Sequence, residues 1–378
     1  MKCPLVRGIG LSALMLATSS GVSGAELVEE GLRTEYQALN LVRVAGDLEH
    51  PWAVAFLPDG SYLVTERGGR LWHIHDEGRR EISGVPEVHA QNQGGLLDVV
   101  LHPEFESNQW VYLTYSLGDD SATTTALMRA RLQGDSLVDG QVLFEQDRRS
   151  DPGRHYGSRL AWLPDGTLLM SIGDRGTEPP RAQDLDDHAG TLLRLNADGS
   201  VPEDNPFVGH DTALPEIYSY GHRNIQGLIV TPEGQIWSTE HGPRGGDELN
   251  LHQAGENYGW PVASKGRDYR TEEPFGEVRS HPDMIDPVYE ILPTLAPSGL
   301  AFVDSEHYPR WQGNLLAGGL RAQNIRRLVI EDNVVVHDEQ LLAGKVGRVR
   351  DVRMSPAGYI YVLTDQSDGG LYRLAAPE

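Results

Sequence analysis

Three groupings of polar residues in this sequence have the types and spacing for chemistry. His155 stands between Gly153 and Gly157, and Asp174 follows Gly173, giving an accessible imidazole and a carboxylate able to orient it as a general base near neutral pH. His222, Arg223 and Asn224 precede a turn, His241-Gly-Pro-Arg-Gly-Gly-Asp-Glu248, whose backbone carbonyls and carboxylates suit a hard cation such as calcium. Late in the chain come Arg321 and the pair Arg348 and Arg350, which alternate as strand neighbours do and so face one side, where guanidiniums bind carboxylates bidentately. Each grouping has a plainer alternative. The turn suits any surface loop, the arginines suit salt bridges in an acid-rich chain, and His155 is one of 14 histidines. No Gly-X-Ser-X-Gly elbow, zinc fingerprint or dinucleotide fingerprint accompanies them, which points away from the common hydrolases and nicotinamide enzymes.

The elements that must position these residues repeat. An apolar strand, a turn such as Pro58-Asp59-Gly60, and a second apolar strand recur at Trp52, Leu97, Arg159, Gly227, Gly299 and Val349, and several copies run on into a third strand such as Arg70-Leu-Trp-His-Ile74. Short strands at regular spacing, with no long helical pattern, indicate an all-β protein, and radial repetition indicates a six-bladed β-propeller of four-stranded antiparallel blades. The last copy supplies three strands. The alternating segment 38–44 is expected to provide its fourth and so to close the ring. Polar, glycine-rich segments fall at strand ends, where loops converge on a pocket. Two of them, Glu178 to Ala189 and Ala263 to Pro287, are expected to cover one face.

The N-terminus has a positive start (Lys2, Arg7), an apolar stretch from Ile9 to Ala17 and a small-residue site at Ser23-Gly24-Ala25, the pattern of a signal peptide over residues 1–25. A single domain over 26–378, periplasmic or secreted, is expected. The one cysteine, Cys3, lies in that leader, so disulfides do not stabilise the rest. The net charge of −23 repels nucleic acid and anionic membranes and favours cations.

Taken in order, Gln93-Gly-Gly-Leu-Leu97, Arg154-His155 leading into Ser158-Arg159-Leu160, Ile172-Gly-Asp-Arg175, Gly221-His-Arg-Asn-Ile-Gln-Gly227, Glu240-His-Gly-Pro243, Asp247-Glu-Leu-Asn250, Asn257-Tyr-Gly-Trp-Pro261 and Arg348-Val-Arg-Asp351 resemble the soluble pyrroloquinoline quinone (PQQ)-dependent aldose/glucose dehydrogenases. The likeness runs from Pro51 to Leu374, and the shorter loops resemble the broad-specificity aldose sugar branch. It implies oxidation of the anomeric carbon of aldoses to lactones by hydride transfer to the quinone, with an unidentified electron acceptor downstream. It also implies His155 as general base, Asp174 as its orienting acid, and Gln93, Arg223 and Asn224 around the reactive carbonyl, Arg223 being counted with the catalytic residues. Arg348, Arg350, Arg321, Thr294 and Tyr269 would complete the cofactor set. The Gly242 and Pro243 carbonyls would hold the catalytic calcium, and Glu248 and Tyr258 a second one. Arg321 stands where the glucose branch has lysine, and Leu292 where it has a tryptophan lining the sugar pocket. A calcium-dependent, lactonase-like propeller hydrolase and a non-catalytic binding propeller are the alternatives.

Overall fold

The computed structural model describes residues 25–151 and 153–376; the expected leader, apart from Ala25, lies outside them. The chain forms six antiparallel sheets arranged as blades, and almost no helix. In chain order the innermost strands are Pro51–Phe56, Leu96–Leu101, Leu160–Trp162, Ile225–Val230, Pro297–Phe302 and Val349–Met354. Each blade then steps outward strand by strand, as in Pro51–Phe56, Tyr62–Glu66, Arg70–His75 and Gly78–Glu81 of the first.

The repeated turns close the first two strands of a blade. At Pro58-Asp59-Gly60 the Leu57 N–H donates to Ser61 O at 2.9 Å, and the Asp59 carboxylate accepts the Ser61 N–H at 2.9 Å. Gly60 takes φ +87°, a left-handed conformation that glycine adopts without a Cβ penalty. The same bonds recur around Asp165, where Leu163 N–H donates to Thr167 O at 2.8 Å. The buried apolar residues fall into clusters that straddle neighbouring blades. One joins Trp52, Leu63 and Leu71 of the first blade to Leu96, Val99 and Leu113 of the second, and another joins Leu300 and Leu315 of the fifth to Trp237 and Leu249 of the fourth. Burial of these faces drives neighbouring blades together.

The ring closes as expected. Ala38–Leu48 pairs antiparallel with Gly369–Ala375, with Leu41 opposite Leu374. A strand not foreseen, Glu26–Arg33, pairs outside it and makes that blade five-stranded. No helix among the described residues is long and apolar enough to cross a membrane.

Antiparallel order has a positional consequence. The segment leading into each innermost strand and the segment after each second strand emerge on the same face of the ring. Gln93, His155, Arg223, Asn224, Thr294 and Arg348 lie in the first kind of segment, and Asp174, Gly242, Pro243 and Arg321 in the second. The long excursion 252–288 between the third and fourth strands of the fourth blade climbs to that face, where Arg267 N–H donates to Arg244 O at 3.2 Å. The 3₁₀ turn Pro179–Gln183 meets it there, Gln183 bonding to Asn257 at 2.7 Å.

Candidate active site

His155 is held in a left-handed conformation, φ +55°, uncommon for a residue with a side chain and frequent at functional sites. Its neighbours fix it there. The His155 N–H donates to Gln93 Oε1 at 2.8 Å, and the Gly157 N–H donates to Asn224 Oδ1 at 3.1 Å. Buried Arg175 donates to the Arg154 carbonyl at 2.8 Å and lies 3.7 Å from the Tyr156 ring centre. Close approach requires Gly173, because a Cβ there would meet His155 O at 2.1 Å and Asn224 Oδ1 at 2.9 Å.

The imidazole Nδ1–H donates to Asp174 Oδ1 at 2.6 Å. Asp174 Oδ1 also accepts the Gly176 N–H at 2.8 Å, while Oδ2 accepts the Trp260 indole N–H at 2.8 Å. Burial alone would raise the Asp174 carboxyl, but bonding to His155, the Arg223 charge and the Trp260 indole hold it below its usual range. Burial pulls the His155 imidazole below its ordinary value; the Asp174 bond opposes this, and the charges of Arg223 and Arg154 add to it. The ring is therefore neutral at pH 7, with its proton on Nδ1 and the Nε2 lone pair free. This tautomer is what a general base needs.

Arg223 lies 5.3 Å from the Trp260 ring centre, and its guanidinium donates to His241 O at 3.2 Å. Its N–H donates to Glu240 Oε2 at 3.0 Å and its carbonyl accepts the Asp174 N–H at 2.8 Å, so one residue's backbone couples the Asp174 segment to the fourth blade. Beside these groups a cavity of about 190 Å³ reaches toward the axis, lined by Gln93, Asn224, Gln226, His241, Arg348 and Arg350 among others. Arg350 is buried, donating to Asp365 Oδ2 at 2.6 Å and to Gln226 Oε1 at 3.2 Å, and its Nε is buried without a partner among the described residues. Arg348 is half exposed and lies 3.5 Å from the same Asp365 oxygen. Burial would raise Asp365, but Arg350 above all, then His50 at 2.9 Å and Arg67, hold its carboxyl far below the usual range. Salt bridging, the plainer alternative for these arginines, is thus present alongside their place in the cavity wall.

The turn 241–248 is tied by Asp247, whose carboxylate accepts N–H groups from Gly242 at 3.2 Å, Leu295 at 2.8 Å and Ala296 at 2.9 Å. The Gly242 and Pro243 carbonyls accept no hydrogen bond from a described residue. Below the turn, Asn250 donates to Glu240 Oε1 at 3.2 Å and to Glu248 Oε2 at 3.3 Å. Burial pushes Glu240 up to about 7. Burial also raises Glu248 well above its ordinary value, reinforced by the Glu240 charge. Two carboxylates that resist ionising together form a donor set that a cation would relieve. Glu248 and Tyr258 line one small cavity there.

Not every expected residue joins this group. Tyr269 is 63 % exposed on the 268–273 loop, and Arg321 is exposed; neither lines the cavity. Thr294 adjoins the Leu295 N–H held by Asp247, with its hydroxyl 3.8 Å from where a Gly245 Cβ would lie. Trp260, Asp365, His241 and Gln226 had no role in the sequence reading. Blade register marks two of them, since His241 and Asp365 follow second strands Ile236–Glu240 and Ile360–Thr364 as Asp174 follows Leu168–Ile172.

The family model for glucose/sorbosone dehydrogenases matches residues 48–373. The chain is 41 % identical to aldose sugar dehydrogenase YliI of Escherichia coli K12 over 89 % of this chain and 93 % of that one. The crystal structure of the soluble E. coli aldose sugar dehydrogenase in its apo form superposes with a TM-score of 0.86 at 40 % identity, covering 90 % of this chain and all of that one (100 %). The PQQ-bound aldose sugar dehydrogenase of Streptomyces coelicolor superposes at 0.71 with 26 % identity, covering 93 % and 98 %. Quinoprotein glucose dehydrogenase B of Acinetobacter calcoaceticus is 31 % identical over 68 % of this chain and 60 % of that one. With a family match over most of its length and relatives of this similarity, the chain belongs to the glucose/sorbosone dehydrogenase family and is an oxidoreductase.

Proposed function

We propose that the chain oxidises the C1 hydroxyl of aldose sugars to lactones with PQQ and calcium bound at this site. The observation that carries the reading is a neutral, Asp174-oriented His155 whose backbone is held by Gln93 and whose chain neighbours Tyr156 and Gly157 line the same cavity as Arg348 and Arg350. The residues present fit both groups. The unpartnered Arg350 Nε, with Arg348 beside it, suits a cofactor bearing carboxylates, and Gln93 and Asn224 in the same cavity wall offer amide donors, with Arg223 next to Asn224 in sequence. No cluster of three or more His, Cys, Asp or Glu side chains suited to a metal occurs among the described residues, so calcium would rest on the free carbonyls of Gly242 and Pro243 and on cofactor oxygens. Glu248 and Tyr258 would hold a second calcium, and Thr294 would adjoin the cofactor, whereas Arg321 and Tyr269, both exposed and outside the cavity wall, would reach it only from the rim.

Bound there, the quinone supplies a hydride acceptor and the cation a Lewis acid. His155 Nε2 takes the proton of the sugar O1 as the C1–O bond becomes a carbonyl. Asp174 stabilises the resulting imidazolium through Nδ1–H, and the Trp260 N–H with the Gly176 N–H keeps that carboxylate aimed. Arg223 would supply positive charge beside the bound cofactor. Residues 1–25 would direct the chain to the periplasm or outside the cell, where a separate acceptor reoxidises the cofactor.

Reconstitution tests this reading. Protein loaded with PQQ and calcium should reduce a dye when given aldoses, and the sugar product should be the lactone. Cofactor bound by absorbance without sugar-dependent dye reduction would overturn it. Quinone-independent lactone hydrolysis would favour the hydrolase instead, and calcium binding with neither activity would leave a binding propeller.

A further inference from the structure

Trp260 is buried, and its side chain has one polar group, the indole N–H, which donates to Asp174 Oδ2 at 2.8 Å. No other hydrogen bond reaches that oxygen among the described residues, and Asp174 is itself only 1 % exposed. Oδ1, by contrast, is shared by His155 and the Gly176 N–H. The ring that carries the N–H is fixed from several sides. The Trp260 backbone N–H donates to Gly221 O at 2.9 Å, and its carbonyl accepts from Gln183 Nε2 at 2.7 Å. Its indole stacks on Phe275, with 4.7 Å between ring centres and the planes 12° apart. Gln183 and Asn257 in turn exchange two amide bonds, at 3.0 Å and 2.7 Å. Gln183 lies in the excursion 178–189, and Asn257, Trp260 and Phe275 lie in the excursion 252–288. Both segments thus converge on one indole, and that indole ends on the carboxylate behind the base.

We propose that Trp260 is a positioning residue that shares the Asp174 charge with His155, so that the two excursions set how tightly the base holds its proton. A donor on Oδ2 stabilises the ionised carboxylate and draws charge away from Oδ1, which then pulls less on the imidazole. Without it, Oδ2 would be buried and unpaired, and the carboxylate would be relieved by holding an imidazolium more tightly. The other charged or titratable groups facing the ring are Arg154, Arg223 and His241, with Glu240 behind the Arg223 backbone. Asp174 is the one carboxylate bonded to the imidazole, so a change in its charge reaches the base directly. This positioning role rests on the dehydrogenase reading above.

The test compares the full chain, loaded with PQQ and calcium, with three variants. Trp260→Phe keeps an aromatic ring against Phe275 and removes the N–H; Phe275→Leu removes the stack and keeps the N–H; Gln183→Leu loosens the tie between the excursions. The His155 titration is read by nitrogen NMR of its ring, which needs no turnover, beside the pH dependence of kcat/KM. In Trp260→Phe the His155 midpoint should rise by about 0.5–1 in pH, and the acid limb of kcat/KM should move with it. Its kcat should fall about tenfold while PQQ still binds by absorbance. Gln183→Leu should move the midpoint the same way by less, and Phe275→Leu should leave it in place. A midpoint that stays or falls in Trp260→Phe would overturn the proposal, as would an equal rise in Phe275→Leu, since packing alone would then account for it. Should Trp260→Phe fail to fold, the wild type decides. Its Trp260 indole proton resonance should shift with pH at the His155 midpoint, and a resonance constant through that range would overturn the proposal. Lactone formation from aldoses tests the dehydrogenase reading separately, and its failure leaves the NMR titration readable.

Discussion

The two ends of the central channel are lined by the same innermost strands and differ in what the chain does when a strand stops. At one end three of the blades reverse in tight Pro-acid-Gly turns, and the mouth is a wide hollow of about 730 Å³ walled by Trp162, Leu163, Ile229, Leu300, Phe302 and Met354 among others. At the other, the connections carry His155, Asp174 and Arg223, and Gln93, Asn224 and Arg350 line a cavity of about 190 Å³. The larger hollow has few groups that could move a proton or hold a carboxylate. A tight turn uses its residues to reverse the chain, and only a longer connection has side chains to spare for chemistry. Between the two lies a buried ionic plug. Arg159 sits 3.1 Å from Asp351 and 3.6 Å from Asp98, and Arg353 bonds both aspartates. On the site side Arg159 donates to the Gln226 carbonyl at 2.7 Å and the Arg350 carbonyl at 3.2 Å, and it lies 4.1 Å from the Trp52 ring centre. The plug thus forms the floor under the arginine clamp and shuts the apolar mouth off from it.

Perturbing one end and then the other puts that contrast at risk. The largest effect belongs to the cation. Exhaustive chelation should abolish sugar-dependent dye reduction, and calcium with PQQ should restore it; full activity in metal-free protein would remove the Gly242–Pro243 turn from the site. His155→Gln should lower kcat about 10²–10⁴-fold while PQQ still binds by absorbance. Near-wild-type turnover there would leave the base unidentified. Arg350→Ala should weaken PQQ binding by about 2–5 kcal/mol, because Asp365 and a cofactor carboxylate both lose their buried partner. Arg350→Lys should be partly tolerated, since an ammonium lacks the planar fork. An alanine variant with unchanged cofactor affinity would move the clamp elsewhere.

The pH profile gives a subtler check. Only neutral His155 accepts a proton, so kcat/KM should rise with pH and level off, with a midpoint below the ordinary imidazole value because burial depresses it. The Asp174 bond works to raise that midpoint, so Asp174→Asn should shift the acid limb to lower pH while reducing turnover less than His155→Gln does. A shift to higher pH would contradict the assigned tautomer. At the apolar mouth, Leu300→Ala should cost about 2–5 kcal/mol of stability as a buried cavity mutation. Its PQQ affinity and kcat should stay as in the wild type, and a large loss of either would show that the plug does not insulate the two ends.

The sequence made the ring legible because its information is local. Leu57-Pro-Asp-Gly and Leu163-Pro-Asp-Gly repeat one turn, and segment 38–44 alternates cleanly enough to name its partner. Glu26–Arg33 gave no such signal, because Leu32 is the one residue of that strand that is buried and the rest face outward on an edge. At the site, flanking glycines made His155 and Asp174 candidates among many, and their roles came from the family resemblance. Trp260 was not a candidate, because its bond to Asp174 spans two blades and 86 residues, and nothing near Trp260 in sequence specifies that partner. Asp365 was hidden for the same reason, its value lying in Arg350 and in His50 at the far end of the chain. Tyr269 shows the converse, since an aromatic on a polar loop reads alike whether the loop tip faces a pocket or solvent.

The closure of the ring by both ends of the chain also sets when a binding site comes into being. Pairing Leu41 with Leu374 is among the most non-local contacts a chain of this length can make, so its loop-closure entropy is met late in folding. Arg348, Arg350 and Asp365 belong to that last-sealed blade, and His50 bonds Asp365 across the seam. A partly assembled ring therefore presents blades and turns but no clamp. Any ligand that engages the clamp binds the sealed ring alone, and by mass action it must strengthen the seam by RT ln(1 + [L]/Kd). Occupancy of the site and the union of the two termini are two readings of one equilibrium.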